Sequence, residues 1–306
     1  MIPYNKLNPF WKKKYGKRVQ RIPISTGLGC PNRSKGNRLN GCIFCDPTGS
    51  GFAAESPVMP IEDQIKTMIK RTEGKYGADI LFAVYLQSYT NTYASVDHLK
   101  SILDSLFIDE RIRILDISTR PDCVEEEKLD LIASYRQKAD ILIEYGLQSV
   151  NRKTLNDLNR GHTLADFVDA ILRTKKRGID TLAHMILDLP QDTLDDVVEA
   201  SQILSALSIN GVKLHSLYVV KGTELEKRVN QGQYELLSFA EFAEREITFL
   251  EYLDPSIVIH RLCSEPPKDV AEGNWGMLKI EIIQEIEKRM NERNTYQGKR
   301  FDYLKQ

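Results

Sequence analysis

The chain has 306 residues, 42% of them hydrophobic and 28% charged, with five cysteines and a formal net charge of −1. Such a composition supports a sizeable core and excludes disorder and a disulfide scaffold. Apolar runs such as LFAVYL fall far short of the roughly 20 residues that a membrane-spanning helix needs.

The near-neutral charge conceals a split. Residues 1–45 hold ten basic residues, from Lys6 through Lys35 and Arg38, and no acid, while the remainder carries −11. The opening MIPYNKLNPFWKKK lacks the apolar stretch and cleavage site of a secretory signal, so a cytoplasmic location is expected and no membrane partner. Residues 1–18 read as a basic arm. Lys12, Lys13 and Lys14 interleave with Phe10, Trp11 and Tyr15. That mixture suits either a nucleic-acid backbone and its bases or a solvated, partly disordered terminus.

From about residue 19, short β-branched runs alternate with amphipathic segments of helical length. The expected strands are RVQRIPIS, ILFAVYL, IRILDIS, ILIEYGL, TLAHMIL and VKLHSLYVV. Helices are expected near 61–74, 96–107, 124–137, 164–177 and 193–207. Thr163 with Asp166, Thr193 with Asp196, and Ser238 with Glu241 have the spacing of capping boxes. Six βα units predict an α/β fold, a partial (βα)6 barrel of the TIM type over 19–235, with its site at the C-terminal strand ends. Residues 236–306 read as a C-terminal helical extension with helices at 238–252 and 276–293 and a further apolar run, SIVIHRL.

Three cysteines crowd just after the first expected strand: Cys30, Cys42 and Cys45, with Phe44 before the last. A closed zinc site needs four ligands, and no fourth cysteine is nearby. Soft thiolates suit iron–sulfur chemistry, and three of them leave one iron open for a cofactor. The alternative is a structural zinc completed by a distant His or by Cys123. Cys123 and Cys263 otherwise read as small buried hydrophobes.

This arrangement resembles the radical S-adenosylmethionine (SAM) superfamily, which places three cysteines in the loop after the first barrel strand. The eleven-residue first gap, with YLQSYTNTY, ISTRPD, EYGLQS, LNRGHT and VKGTEL further on, is similar to the branch typified by YhcC and YtqA and to the radical SAM subunit of Elongator. The resemblance implies two cofactors, a four-iron four-sulfur (4Fe–4S) cluster on Cys30, Cys42 and Cys45, and SAM. It implies Gln148 at the SAM ribose and Arg160 at its carboxylate, the latter by a two-bond clamp. Gln87 would hold the amino group, with Phe44 and Ser118 nearby and Ile186 and Tyr218 around adenine; an acid found in coproporphyrinogen oxidase after the third strand is absent at Ser118 and Arg120.

No catalytic residue beyond these is fixed, and His215 and Lys221 rank first among the candidates, ahead of His162 and His184. Lys12, Lys13, Lys14 and Trp275 are candidate substrate contacts, Trp275 as a base-stacking platform. The resemblance implies tRNA as partner, and conversion of a carboxymethylaminomethyl group on wobble uridine to aminomethyl. It also implies an electron donor such as flavodoxin or ferredoxin, and a methyltransferase acting next. A small-molecule substrate such as a porphyrin, and a non-catalytic zinc module that binds RNA, are the competing expectations.

Overall fold

The computed structural model describes residues 3–33, 41–46, 49, 54–266 and 270–304. Lys35 and Arg38 of the basic start lie outside the described residues.

In chain order the elements are α1 (Leu7–Tyr15), β1 (Val19–Ser25), α2 (Ile61–Tyr76), β2 (Leu81–Gln87), α3 (Val96–Asp104), β3 (Ile112–Thr119), α4 (Glu126–Ser134), β4 (Asp140–Gln148), α5 (Arg152–Asp157), α6 (Leu164–Lys176), β5 (Asp180–Ile186), α7 (Leu194–Ala206), β6 (Gly211–His215), β7 (Val219–Val220), α8 (Glu224–Asn230), α9 (Phe239–Tyr252), β8 (Val258–Arg261), β9 (Val270–Glu272) and α10 (Lys279–Glu292). All three capping boxes form, at the starts of α6, α7 and α9. Each ties the orphan N–H groups of a helix start to a hydroxyl and a carboxylate.

The main sheet is parallel throughout and runs β1-β2-β3-β4-β5-β6-β8. It is the curled half-barrel expected of repeated βα units, with one strand more than the six predicted. The seventh strand is the run SIVIHRL, so the segment after residue 235 contributes to the sheet as well as helices. The predicted sixth strand breaks at residues 216–218 into β6 and the short β7, which pairs antiparallel with β9.

Strand residues alternate between two buried environments. Ile22, Ile24, Phe82, Val84, Leu115, Ile143 and Tyr145 pack outward with the helices in one continuous core. Their neighbours Arg21, Tyr85, Asp116, Glu144, His184 and Lys213 point the other way, and most of these are charged or polar. A parallel sheet covered by helices on one face and curled into a half-barrel accounts for both rows.

The N-terminal segment is a folded helix rather than a solvated arm. Leu7 and Trp11, four apart on α1, are 8% and 6% exposed and pack with Val19, Ala83, Ile114 and Val258. Lys14 pairs with Asp140 at 3.0 Å, and the Tyr15 hydroxyl donates to the same carboxylate at 2.5 Å. Val19 and Asp140 are the first residues of β1 and β4, so α1 caps the N-terminal end of the barrel, opposite the cysteines. Lys12 and Lys13 are exposed at that end. The apolar stripe on this short helix, which outweighs its lysines, makes it a plug.

Candidate active site

A cavity of about 450 Å³ opens at the C-terminal ends of the strands. Its wall holds Cys30, Cys42 and Cys45 together with all seven of the expected cofactor contacts: Phe44, Gln87, Ser118, Gln148, Arg160, Ile186 and Tyr218. Residues spread over almost 190 positions of sequence converge there because each ends, or follows, one of the parallel strands.

The cysteine segment is anchored by Asn32 and by the LNRGHT stretch. Asn32 Nδ2 contacts Cys42 Sγ at 3.4 Å and donates to the carbonyls of Asn159 and Arg160 at 2.7 and 2.9 Å. Asn159 returns a bond to the Gly41 carbonyl at 2.6 Å, and the Ile43 N–H donates to Leu158. Gly161 is required here. It sits at φ +71°, and a Cβ would lie 2.7 Å from Asn32 Oδ1.

Two arginines face the thiols. Arg160 places Nη1 3.2 Å from Cys42 Sγ. Arg33 donates to the carbonyls of Cys45 and Asp46 at 2.8 and 2.5 Å. Burial, and then the neighbouring Cys42, push the Cys45 thiol up to about 11, while Arg33 pulls the other way. Burial, followed by Arg160 and Arg120, drives His162 down to about 2, so it is a neutral ring, with Nε2 2.9 Å from the Gly146 carbonyl.

The strand ends are strained. Ser88 and Tyr89 after β2 and Gln148 at the end of β4 have φ of 75°, 54° and 75°. Non-glycine residues in that region cost on the order of 1–3 kcal/mol each and collect at functional sites. Asn91 holds the first bend: it accepts from Thr26 at 2.7 Å and donates to the Leu86 and Ser118 carbonyls at 3.1 and 2.9 Å. This is what the YLQSYTNTY motif accomplishes locally.

Below the thiols lies a charged floor. Arg21 pairs with Asp116 at 2.8 Å and Glu144 at 2.9 Å; Glu144 also accepts from Lys213 and His184, both at 2.7 Å. Tyr85, His184, Lys213, His215 and Arg261 line the cavity from this side. Burial depresses His184 to about 4 against the pull of Glu144. His215 falls well below its ordinary value, through burial and then Arg261. Both rings are neutral at physiological pH.

The predicted candidates divide. His215 lines the cavity; Lys221 is exposed just after β7 and lies outside it. Lys12, Lys13 and Lys14 belong to the plug at the far end. Trp275 is used in packing: its ring stacks on Phe242 at 4.7 Å, meets Phe239 at 5.5 Å, and its Nε1 donates to the Leu237 carbonyl at 2.8 Å. Reading the sequence missed Asn32, Arg33, Tyr85, Glu144, Lys213 and Arg261. The signal was available: nearly every expected strand carries an ionisable residue in the middle of an apolar run, which a core strand does not tolerate without a partner.

The donor set fits the expected cofactors. Three thiols line the cavity, and five of its buried side-chain atoms have no hydrogen-bond partner among the described residues: Arg33 Nε, Gln87 Nε2, Thr90 Oγ1, Arg120 Nη1 and Ser216 Oγ. Buried polar atoms are rarely left so, and their concentration here marks a place built for a polar ligand.

A parallel half-barrel with three cysteines in its first loop defines the class, and the chain belongs to the radical SAM superfamily, whose model matches residues 24–204, with the Radical_SAM C-terminal domain model matching 209–292. It is an enzyme of that superfamily, with a 4Fe–4S cluster and SAM as its cofactors. The chain is similar to MJ0486 of Methanocaldococcus jannaschii, 37% identical over 95% of this chain and 90% of that protein, and to YtqA of Bacillus subtilis, 30% identical over 99% and 94%. In fold it is similar to Methanocaldococcus infernus Elp3, with a TM-score of 0.68 at 17% identity; the match covers 91% of this chain but only 64% of that one. The two family matches meet between α7 and β6. Among the described residues no helix is long and apolar enough to cross a membrane.

Proposed function

We propose that Cys30, Cys42 and Cys45 ligate the cluster, that Gln87, Ser118, Gln148 and Arg160 hold the polar end of SAM, and that Phe44, Ile186 and Tyr218 pack around it. The observation that carries this reading is the single cavity shared by three thiols and five unpartnered polar atoms. When bound, the reduced cluster supplies the electron that cleaves SAM to methionine and a 5′-deoxyadenosyl radical. The chain's own tasks are to orient and to exclude water. Arg160, fixed by the Gly146 carbonyl at 2.7 Å, offers a rigid fork to a carboxylate. Neutral His215 at the floor is the candidate proton acceptor.

The substrate we propose is tRNA, at a wobble uridine bearing a carboxymethylaminomethyl group, which is converted to aminomethyl: a hydrogen atom is taken from the glycine-like methylene, one further electron would return to the oxidised cluster to leave an imine, and water cleaves its bond to nitrogen, releasing the two-carbon fragment as glyoxylate. The likeness in sequence to Elongator complex protein 3 of Homo sapiens, 28% identical over 56% of this chain and 32% of that protein, supports this choice. A flavodoxin or ferredoxin would deliver the electron, and a methyltransferase would act next. The test is mass spectrometry of tRNA nucleosides from cells lacking the gene. Accumulation of the carboxymethylaminomethyl nucleoside is expected, and an unchanged profile overturns the substrate assignment.

A further inference from the structure

The lumen of the barrel is short of negative charge. Among the described residues, the carboxylates that its strands contribute are Asp116 and Glu144, and both are taken: Arg21 binds the two of them and Lys213 binds Glu144. A third cation, Arg261, stands beside Lys213 as its partner in the β6–β8 register and lines the same cavity. Among the described residues it forms no ion pair. Its Nη2 contacts the two ring nitrogens of His215 at 2.6 and 2.8 Å, and its Nε reaches the Leu214 carbonyl only at 3.4 Å. Its Nη1 makes no hydrogen bond among the described residues. Glu265 lines the cavity too but, among the described residues, forms no ion pair with it. The acid that acts on Arg261 is Glu144, which is already bound by Arg21, Lys213 and His184. A half-buried guanidinium that must share its countercharge in this way is completed by an arriving anion.

We propose that Arg261 is the anchor for a carboxylate carried by the substrate, with Nη1 and Nη2 as the two arms of the clamp and His215 setting the plane of the guanidinium. The carboxylate of SAM is accounted for elsewhere, at Arg160 beside Cys42. Arg261 lies on the edge strand of the sheet, three strands beyond β4, which carries Gly146 and Gln148. A second anion is therefore required, and planar two-point recognition favours a carboxylate. This inference rests on the proposed reaction, in which the group removed is a carboxymethyl group, and it assigns a protein partner to that carboxylate.

Two measurements on the full chain, reconstituted with its cluster under argon and supplied with SAM, test it. The first compares binding of two anticodon stem-loop RNAs that differ only in whether the wobble uridine carries carboxymethylaminomethyl or aminomethyl. Wild type is expected to prefer the first at least tenfold, and Arg261→Gln to lose that preference while still binding the second; identical phosphates in both RNAs remove backbone contacts from the comparison. The second is thermal stability without RNA. Arg261→Gln removes a cation that competes with Arg21 and Lys213 for Glu144 and is expected to raise Tm, and sodium acetate, against sodium chloride at equal ionic strength, to raise the Tm of wild type alone. A lower Tm for Arg261→Gln makes the guanidinium structural and overturns the proposal, as does equal binding of the two RNAs with no acetate effect. If acetate protects wild type alone and neither RNA binds, the carboxylate site stands and the tRNA reading falls.

Discussion

Arg160 lies 118 residues from Cys42 in sequence and 3.2 Å from it in space, Nη1 against Sγ, while Nη2 donates to the Gly146 carbonyl at 2.7 Å. One side chain thereby joins the loop after β1 to the end of β4, the two places where the cluster and SAM are expected to meet.

Arg160→Lys keeps a positive charge but loses the fork. It is expected to retain iron and to weaken SAM binding tenfold or more, the equivalent of ~1.5–3 kcal/mol for a hydrogen bond to a charged group. Gly146→Ala should act similarly, since a Cβ there would lie 2.9 Å from Arg160 Nη2 and 3.0 Å from Gln148 Nε2. Equilibrium dialysis with labelled SAM reads both; wild-type affinity in either variant contradicts the assignment.

Replacing Cys30, Cys42 or Cys45 by Ala is expected to abolish most bound iron and the brown colour after anaerobic reconstitution. Cys123→Ala and Cys263→Ala should keep both, because these thiols are buried and do not line the cavity that Cys30, Cys42 and Cys45 share. Iron and zinc analysis decides the matter. A colourless, zinc-loaded wild type, or iron loss on removing Cys123, would favour the closed zinc site.

The α1 plug separates stability from RNA binding. Trp11→Ala opens the base of the barrel and is expected to cost ~3–5 kcal/mol, the usual range for removing a buried tryptophan. Deleting residues 1–18 would therefore unfold the barrel rather than test an arm. Lys12→Glu with Lys13→Glu changes only exposed charges. If that face contacts tRNA, the slope of log binding constant against log salt should fall by ~2; an unchanged slope leaves α1 a purely structural element.

Asp188 gives a pH-dependent test. Burial raises its carboxyl to about 7, although the Leu217 N–H lies 3.0 Å from both of its oxygens. Between about pH 4 and 7 the folded chain holds a proton at this position that the unfolded chain has released. The group's contribution to stability therefore falls as pH rises through that window, at a cost of at most ~4 kcal/mol. Asp188→Asn cannot ionise. Its Tm is expected to match wild type near pH 4 and to exceed it by a few degrees at pH 8. A difference independent of pH means that Asp188 is already ionised without penalty.

Much of the architecture was open to the one-dimensional pattern. Runs such as ILFAVYL and ILIEYGL between amphipathic segments specify parallel βα units, and hydroxyl–acid pairs such as Thr163 and Asp166 mark helix starts, because both signals are local. The Cys30, Cys42 and Cys45 spacing specifies the chemistry of the first loop for the same reason. Local pattern misjudged α1, whose lysines outnumber its buried Leu7 and Trp11, and SIVIHRL, whose membership of the sheet depends on a vacant edge beside β6. Trp275 was likewise indistinguishable from a stacking platform until Phe239 and Phe242 closed on it.

The chain's order of residues determined the repeating units, the caps and the cysteine trio, each a matter of neighbours within a few turns. Only curling of the sheet decided that Arg21, Asp116, Glu144 and Lys213 pair with one another and that, among the described residues, Arg261 forms no ion pair. Charge balance in a desolvated lumen is a property of distances between strands, and those exist only once the barrel has curled.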